Sequence, residues 1–187
     1  MIKQRDLGAG LVVAIYMMCV GAPFAEAQNQ PLGPDVIRCI GNAHAQMVGD
    51  FEVKGLALSD RGELAPITTA ARVEAAGNNE IFFISDEKVF GRWWIDASNE
   101  YLFQTFDDDG SPLQRVSAEV QVCQENSSGE LILERRWQRT DDGTTWEFNQ
   151  TTRLSAQRIS EITLVRNLAE IAPAIVVSDV NFSRTGN

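Results

Sequence analysis

The sequence predicts an all-β domain: an antiparallel up-and-down β-barrel of about ten strands, led in by one N-terminal helix, with a β-sandwich as the alternative. Three observations carry this. From Phe51 onward, short β-type runs are separated by turn signals roughly every 8–14 residues, the rhythm of a barrel or sandwich. Several of these runs alternate apolar and polar residues, as a strand with one buried face must. Only one stretch, beginning at Pro34, repeats its apolar residues at helical spacing.

In chain order, the first 27 residues have the three parts of a cleavable signal peptide. Lys3 and Arg5 give a positive start, Leu7 to Ala22 an apolar stretch, and Ala25-Glu26-Ala27 a small-residue exit. A membrane anchor is the alternative, but the apolar stretch contains Gly8, Gly10 and Gly21, stops at Pro23, and is shorter than the ~20 residues a spanning helix needs. Residues 28–33 read as a flexible lead-in, and 34–187 as a single helix-plus-barrel domain. The helix opens at Pro34 and Asp35, where proline suits the first turn and an acid suits the positive helix end. Val36, Ile40, Ala43 and Met47 give it an apolar face, with Ile37 beside them, and Gly49 is its stop signal.

Strands are expected near 50–58, 66–74, 80–85, 90–96, 100–106, 113–123, 130–139, 144–154, 158–168 and 174–184. Between them, Asp60-Arg61-Gly62, Gly77-Asn78-Asn79, Asp108-Asp109-Gly110, Ser127-Ser128-Gly129 and Asp141-Asp142-Gly143 supply turn chemistry. Val116, Ala118, Val120 and Val122 share one predicted face. Trp146, Phe148 and Leu154 share another, as do Val176, Val180 and Phe182. Short sequential hairpins with no long crossover favour the barrel over the sandwich.

The formal charge is −10, and the predicted signal carries two bases and two acids, so its removal leaves that charge unchanged. Such a surface repels nucleic acid and anionic lipid head groups. Cys19 leaves with the signal, so Cys39 and Cys123 remain as an even pair, and in an oxidising compartment a disulfide between them is expected over two free buried thiols. Cys39 lies on the helix, so this bond would staple helix to sheet. Cys123 falls on the polar parity of its strand. Either the helix packs outside the sheet, or a twist or bulge after Val122 turns Cys123 towards a helix that plugs the barrel mouth, the arrangement favoured here.

The helix followed by a meander that begins at Met47-Val48-Gly49-Asp50-Phe51-Glu52-Val53 and ends at Val180-Asn181-Phe182-Ser183-Arg184 resembles the lipocalin-like, calycin-type small barrels. Where lipocalins proper carry Gly-x-Trp on the first strand, this chain has Gly49-Asp50-Phe51. The resemblance implies a barrel and an apolar ligand cavity, and no particular binding residue.

No catalytic set, cofactor fingerprint or metal cluster stands out. His44 is the sole histidine and has no orienting partner, which makes it a helix-surface residue rather than a catalyst, and one histidine with two oxidised cysteines makes no usual zinc set. Asp107-Asp108-Asp109-Gly110 reads as a solvated hairpin turn in preference to a calcium loop.

Arg135 has the parity of Leu131, Leu133 and Trp137, and Arg166 that of Ile162, Leu164 and Leu168, so both are expected to point inward, where a ligand carboxylate would partner them. The alternative is that a bulge, or an outer apolar face, puts them on the surface with Glu134 or Glu161. Trp137 and Trp146 complete the expected ligand-binding set, as linings of an apolar pocket. Of the adjacent Trp93 and Trp94, one must face outward or lie under the helix. The expected function is non-catalytic binding of a small apolar or amphipathic ligand by a periplasmic or secreted protein. An envelope interaction or scaffold protein without a cavity is the second expectation, and an enzyme of unknown reaction the third.

Overall fold

The computed structural model describes residues 31–185 apart from 60, 61, 78, 108, 142, 171 and 172, and for 114 and 141 it describes the backbone alone. The predicted signal peptide at 1–27 lies outside the described residues. Helix α1 spans Pro34–Met47, and the strands are β1 (Gly49–Leu58), β2 (Leu64–Ala75), β3 (Glu80–Ser85), β4 (Lys88–Ile95), β5 (Tyr101–Phe106), β6 (Pro112–Ser117), β7 (Glu119–Glu125), β8 (Leu131–Asp141), β9 (Thr144–Leu154), β10 (Arg158–Asn167) and β11 (Ile175–Arg184). Among the described residues, no helix is long and apolar enough to cross a membrane.

The strands form one antiparallel sheet in the order β6-β5-β4-β3-β2-β1-β11-β10-β9-β8-β7. The first strand pairs the last, with Val53 opposite Phe182, and the two sheet edges are consecutive in the chain. The sheet therefore curls into a barrel-like wall, as expected of an all-β up-and-down meander. The expected single strand 113–123 is two strands because its partner changes at buried Ala118. Up to that residue the chain bonds β5, and Ala118 N–H still donates to the Tyr101 carbonyl at 2.8 Å. From Glu119 it pairs with β8 instead, Glu119 lying opposite Arg136. This switch accounts for the eleventh strand.

Pro34 sits at the first position of α1 and Asp35 in its first turn, as the sequence suggested. The helix ends at Met47. Its last carbonyls are capped from β11, where Arg184 donates to the carbonyls of Val48 at 2.8 Å and Gln46. Gly49, expected to end the helix, instead begins β1, with φ of 145°.

The helix lies on the concave side of the sheet, where Ile40, Ala43 and Met47 join the same core as Phe51, Val53, Tyr101, Leu133 and Leu154. A disulfide links Cys39 to Cys123 across a sequence separation of 84, with the Cα atoms 6.0 Å apart. The irregularity that turns Cys123 inward falls between Val120 and Val122, one step before the expected position. Val120 is opposite Arg135 and Cys123 opposite Leu133, both inward, whereas Val122 is opposite Glu134 and faces out, against its expected place in the core.

A second irregularity, between Thr163 and Leu164 on the β10–β11 pairing, leaves Val177 as the extra residue of β11. The buried residue is therefore Val177, and Val176, expected on the core face, pairs with outward Leu164.

Candidate functional site

The inner faces of β8, β9 and β10 carry a band of polar side chains between two apolar layers. On the helix side lie Leu131, Leu133, Leu154 and Ile159, all buried. On the other side lie Trp137, Phe148 and Val165, also buried. Between them, β8 contributes Arg135, β9 contributes Gln150 and Thr152, and β10 contributes Glu161 and Thr163. Strand alternation produces this band. In unbroken register with β9, the residues of β10 that point inward are Ile159, Glu161, Thr163 and Val165.

Arg135 is only 1% exposed, so the inward placement read from its parity holds. Its charge is balanced within the chain. Nη2 donates to Thr152 Oγ1 and reaches Glu161 Oε2 at 3.4 Å, and Nη1 lies 3.4 Å from the Tyr101 hydroxyl. The Thr152 hydroxyl donates to Glu161 at 3.1 Å, and the guanidinium sits 4.4 Å from the centre of the Trp93 ring. The carboxylate expected from a ligand is thus supplied by Glu161, whose side chain is 20% exposed. Burial pushes the Glu161 carboxyl up, and the Arg135 charge and the Thr152 hydrogen bond oppose it.

Helix α1 adds His44, whose Nε2 is 2.9 Å from the Tyr101 hydroxyl. Its expected surface position is corrected here. Its spacing from Ile40 and Met47 puts it on the apolar face, where it is fully buried. Arginine can only donate, so the Tyr101 hydroxyl accepts from Arg135, and it shares a second hydrogen bond with His44 Nε2 whose direction is set by the histidine tautomer. Burial first, and the Arg135 charge second, lower the His44 pKa to about 3, with the Asn79 backbone opposing. Burial raises the Tyr101 pKa, against the Arg135 charge. Both rings are therefore neutral at ordinary pH.

The aromatic layer continues from this cluster. Trp93 stacks on Tyr101 at 4.9 Å and on Phe103 at 4.4 Å, and Trp137 stacks on Phe148 at 5.4 Å and meets Trp93 edge-on at 6.0 Å. Trp146 is half-buried at the edge of the layer. Trp94 is the outward member of its pair and is covered by Arg92, 4.2 Å from its ring centre.

Arg166 does not join the site. It is 47% exposed on the outer face of β10, where Nη2 pairs with Glu147 Oε1 at 2.7 Å. The apolar residues that suggested an inward face, Ile162, Leu164 and Leu168, lie outside with it. Sequence reasoning passed over Tyr101, Gln150, Thr152 and Arg139, and it considered Glu161 only as a surface partner of the arginines. For Arg139 the signal was present, since it follows Arg135 and Trp137 on the same odd-numbered face and is buried.

Elsewhere, Asp107 and Asp109 accept hydrogen bonds from the Ser111 backbone at 2.8 and 2.9 Å, which makes their segment a self-bonded turn. Asp108 lies outside the described residues. Among the described residues, no group of three or more His, Cys, Asp or Glu side chains could hold a metal ion.

No family model and no curated protein matches the chain. Among solved structures, the crystal structure of Rv2717c from M. tuberculosis is similar at 12% identity, covering 83% of this chain and 99% of that one, with a TM-score of 0.37.

Proposed function

We propose that this chain is an exported, non-catalytic binding protein that holds a small apolar or amphipathic ligand inside a lipocalin-like barrel. The observation that supports this best is the pairing of layers around Arg135: a polar band facing the interior, set directly against a wall of Trp93, Trp137 and Phe148. Such a boundary suits a ligand with one polar end and an apolar body. Export is supported by the disulfide, which persists in oxidising compartments, and by the signal-like residues 1–27. Native mass spectrometry of protein purified from its own compartment should show a small-molecule adduct that organic extraction removes. A consistently empty protein that takes up no fatty-acid or lipid probe would sink this reading.

A protein-binding role is the second reading, favoured by apolar residues on the outer wall. Exposed Leu56 lies opposite Pro66, exposed Leu64 lies opposite Leu58, and exposed Leu168 follows at the corresponding end of β10. The same spectra separate the two readings, since a partner protein gives an adduct of protein mass.

A further inference from the structure

Strands β3, β4 and β5 are apolar on both faces. Inside, Ile81, Phe83, Trp93, Tyr101 and Phe103 join the core, while Phe82, Val89, Trp94 and Phe106 stand on the outer wall. The outer face of β8, by contrast, carries Glu134, Arg136, Gln138 and Thr140. An antiparallel sheet with one wet face follows the pattern of β8, so the outer apolar surface of β3–β5 marks a contact site. It holds an open pocket of about 330 Å³, with half-buried Phe82, Val89 and Phe106 as its floor and exposed Lys88, Asp109 and Gly110 at its rim. That volume is at the lower limit of ligand pockets and suits a small molecule rather than a long acyl chain.

Two turns set the rim. The self-bonded turn between β5 and β6 holds Asp109 and Gly110. Lys88 follows Asp86 and Glu87, whose φ values of 49° and 64° are a costly left-handed conformation for residues with a Cβ, of the kind that gathers at binding sites. Lys88 and Asp109 lie near enough to act on each other. Hydrogen bonding from Ser111 first, and the Lys88 charge in addition, hold the Asp109 carboxyl below its ordinary value.

We infer that this pocket binds the zwitterion of a small apolar α-amino acid, with its side chain on Phe82, Val89 and Phe106, its carboxylate at Lys88 and its ammonium at Asp109. A ligand with a single charge gains one rim residue and is repelled by the other. A zwitterion meets both and leaves the charge of the rim balanced. Gly110 presents backbone without a side chain beside Asp109, which leaves room for the ligand's polar end. The pocket lies on the outer wall and is separate from the interior site proposed above.

The test follows amide chemical shifts of the isotope-labelled chain during titration with L-leucine, L-phenylalanine, N-acetyl-L-phenylalanine and L-phenylalaninamide, at constant pH and ionic strength. Both amino acids are expected to shift the signals of Lys88, Val89 and Gly110. The two capped compounds, each lacking one charge, should bind about fivefold more weakly than phenylalanine, the scale of one exposed ion pair. Lys88→Gln should erase the preference for phenylalanine over its amide, and Asp109→Asn the preference over its N-acetyl form. Both side chains are exposed, so neither variant threatens the fold. Absence of shifts at the pocket with both amino acids, capped compounds that bind as tightly as phenylalanine, or variants that keep the parent's preferences each overturn the inference. Uptake of long-chain probes reads the interior site independently, so failure of one site leaves the other standing.

Discussion

Arg135 on β8 and Arg166 on β10 each continue an apolar column of their strand, and the fold treats the two in opposite ways. On β8, Arg135 follows Leu131 and Leu133 into the interior, where it meets Glu161, Thr152, Tyr101 and the ring of Trp93. On β10, Arg166 follows Ile162 and Leu164 outward and pairs with Glu147. Apolar parity thus names the core face of β8 and the outer face of β10. The difference is physical. β10 must present Glu161 inward because a buried guanidinium without a carboxylate would be far more costly than a few apolar side chains left half-exposed on the outside.

The largest effect expected from disturbing this arrangement belongs to the staple on the β8 side. Cys123 is opposite Leu133, so the disulfide fixes α1 against the strands that carry the buried cluster. A Cys39→Ser, Cys123→Ser double variant should lose up to about 4–5 kcal/mol in denaturant unfolding, the chain-entropy figure for a loop of this length. A loss near zero would mean that native strain offsets the entropic gain. Next comes the comparison itself. Glu161→Leu strands the Arg135 charge and should cost about 3–5 kcal/mol, as breaking a buried pair does. Arg166→Ala removes a half-exposed partner from the buried Glu147 carboxylate, which keeps Asn149 at 3.4 Å, and should cost less, about 1–2 kcal/mol. Equal losses from the two variants would contradict the inside–outside assignment.

The third effect is pH dependence. The His44 pKa is about 3 in the folded chain and 6.5 ordinarily, so between these values the unfolded chain binds the proton that the folded chain refuses. Stability from this group is complete above pH 6.5 and is lost as pH falls towards 3, by up to about 1.4 kcal/mol per pH unit. Glu161, whose pKa is raised, acts in the opposite direction, gaining stability as pH falls through its folded value. His44→Gln can still bond the Tyr101 hydroxyl but cannot titrate. Urea midpoints at pH 7 and pH 5 should therefore converge in this variant relative to the parent. An unchanged pH slope would refute burial of a neutral histidine.

Strand positions were legible wherever turn residues and alternation agreed. The helix start was legible from Pro34 and Asp35, and the Cys39–Cys123 pairing from cysteine arithmetic. Half of the candidate site was legible too, because Arg135 and Trp137 continue an apolar column that is in fact the core column. His44 was misplaced for want of a partner, although its helical spacing from Ile40 and Met47 already put it on the buried face. Glu161 could not be assigned from β10 alone. Its strand has apolar residues on both faces, and the local sequence does not reveal which face meets Arg135.

The meander, the helix at 34–47 and the staple could be read from the chain because turn geometry, amphipathic period and cysteine count are local or compositional properties. Long-range strand pairing set which face of β10 is inside, where strand 113–123 changes partner, and that Val122 and Val176 lie outside the core while Val177 lies within it. Those outcomes depend on pairing between strands far apart in sequence. One extra residue at a bulge, or one buried charge that needs an opposite neighbour, reverses a parity that local alternation cannot fix.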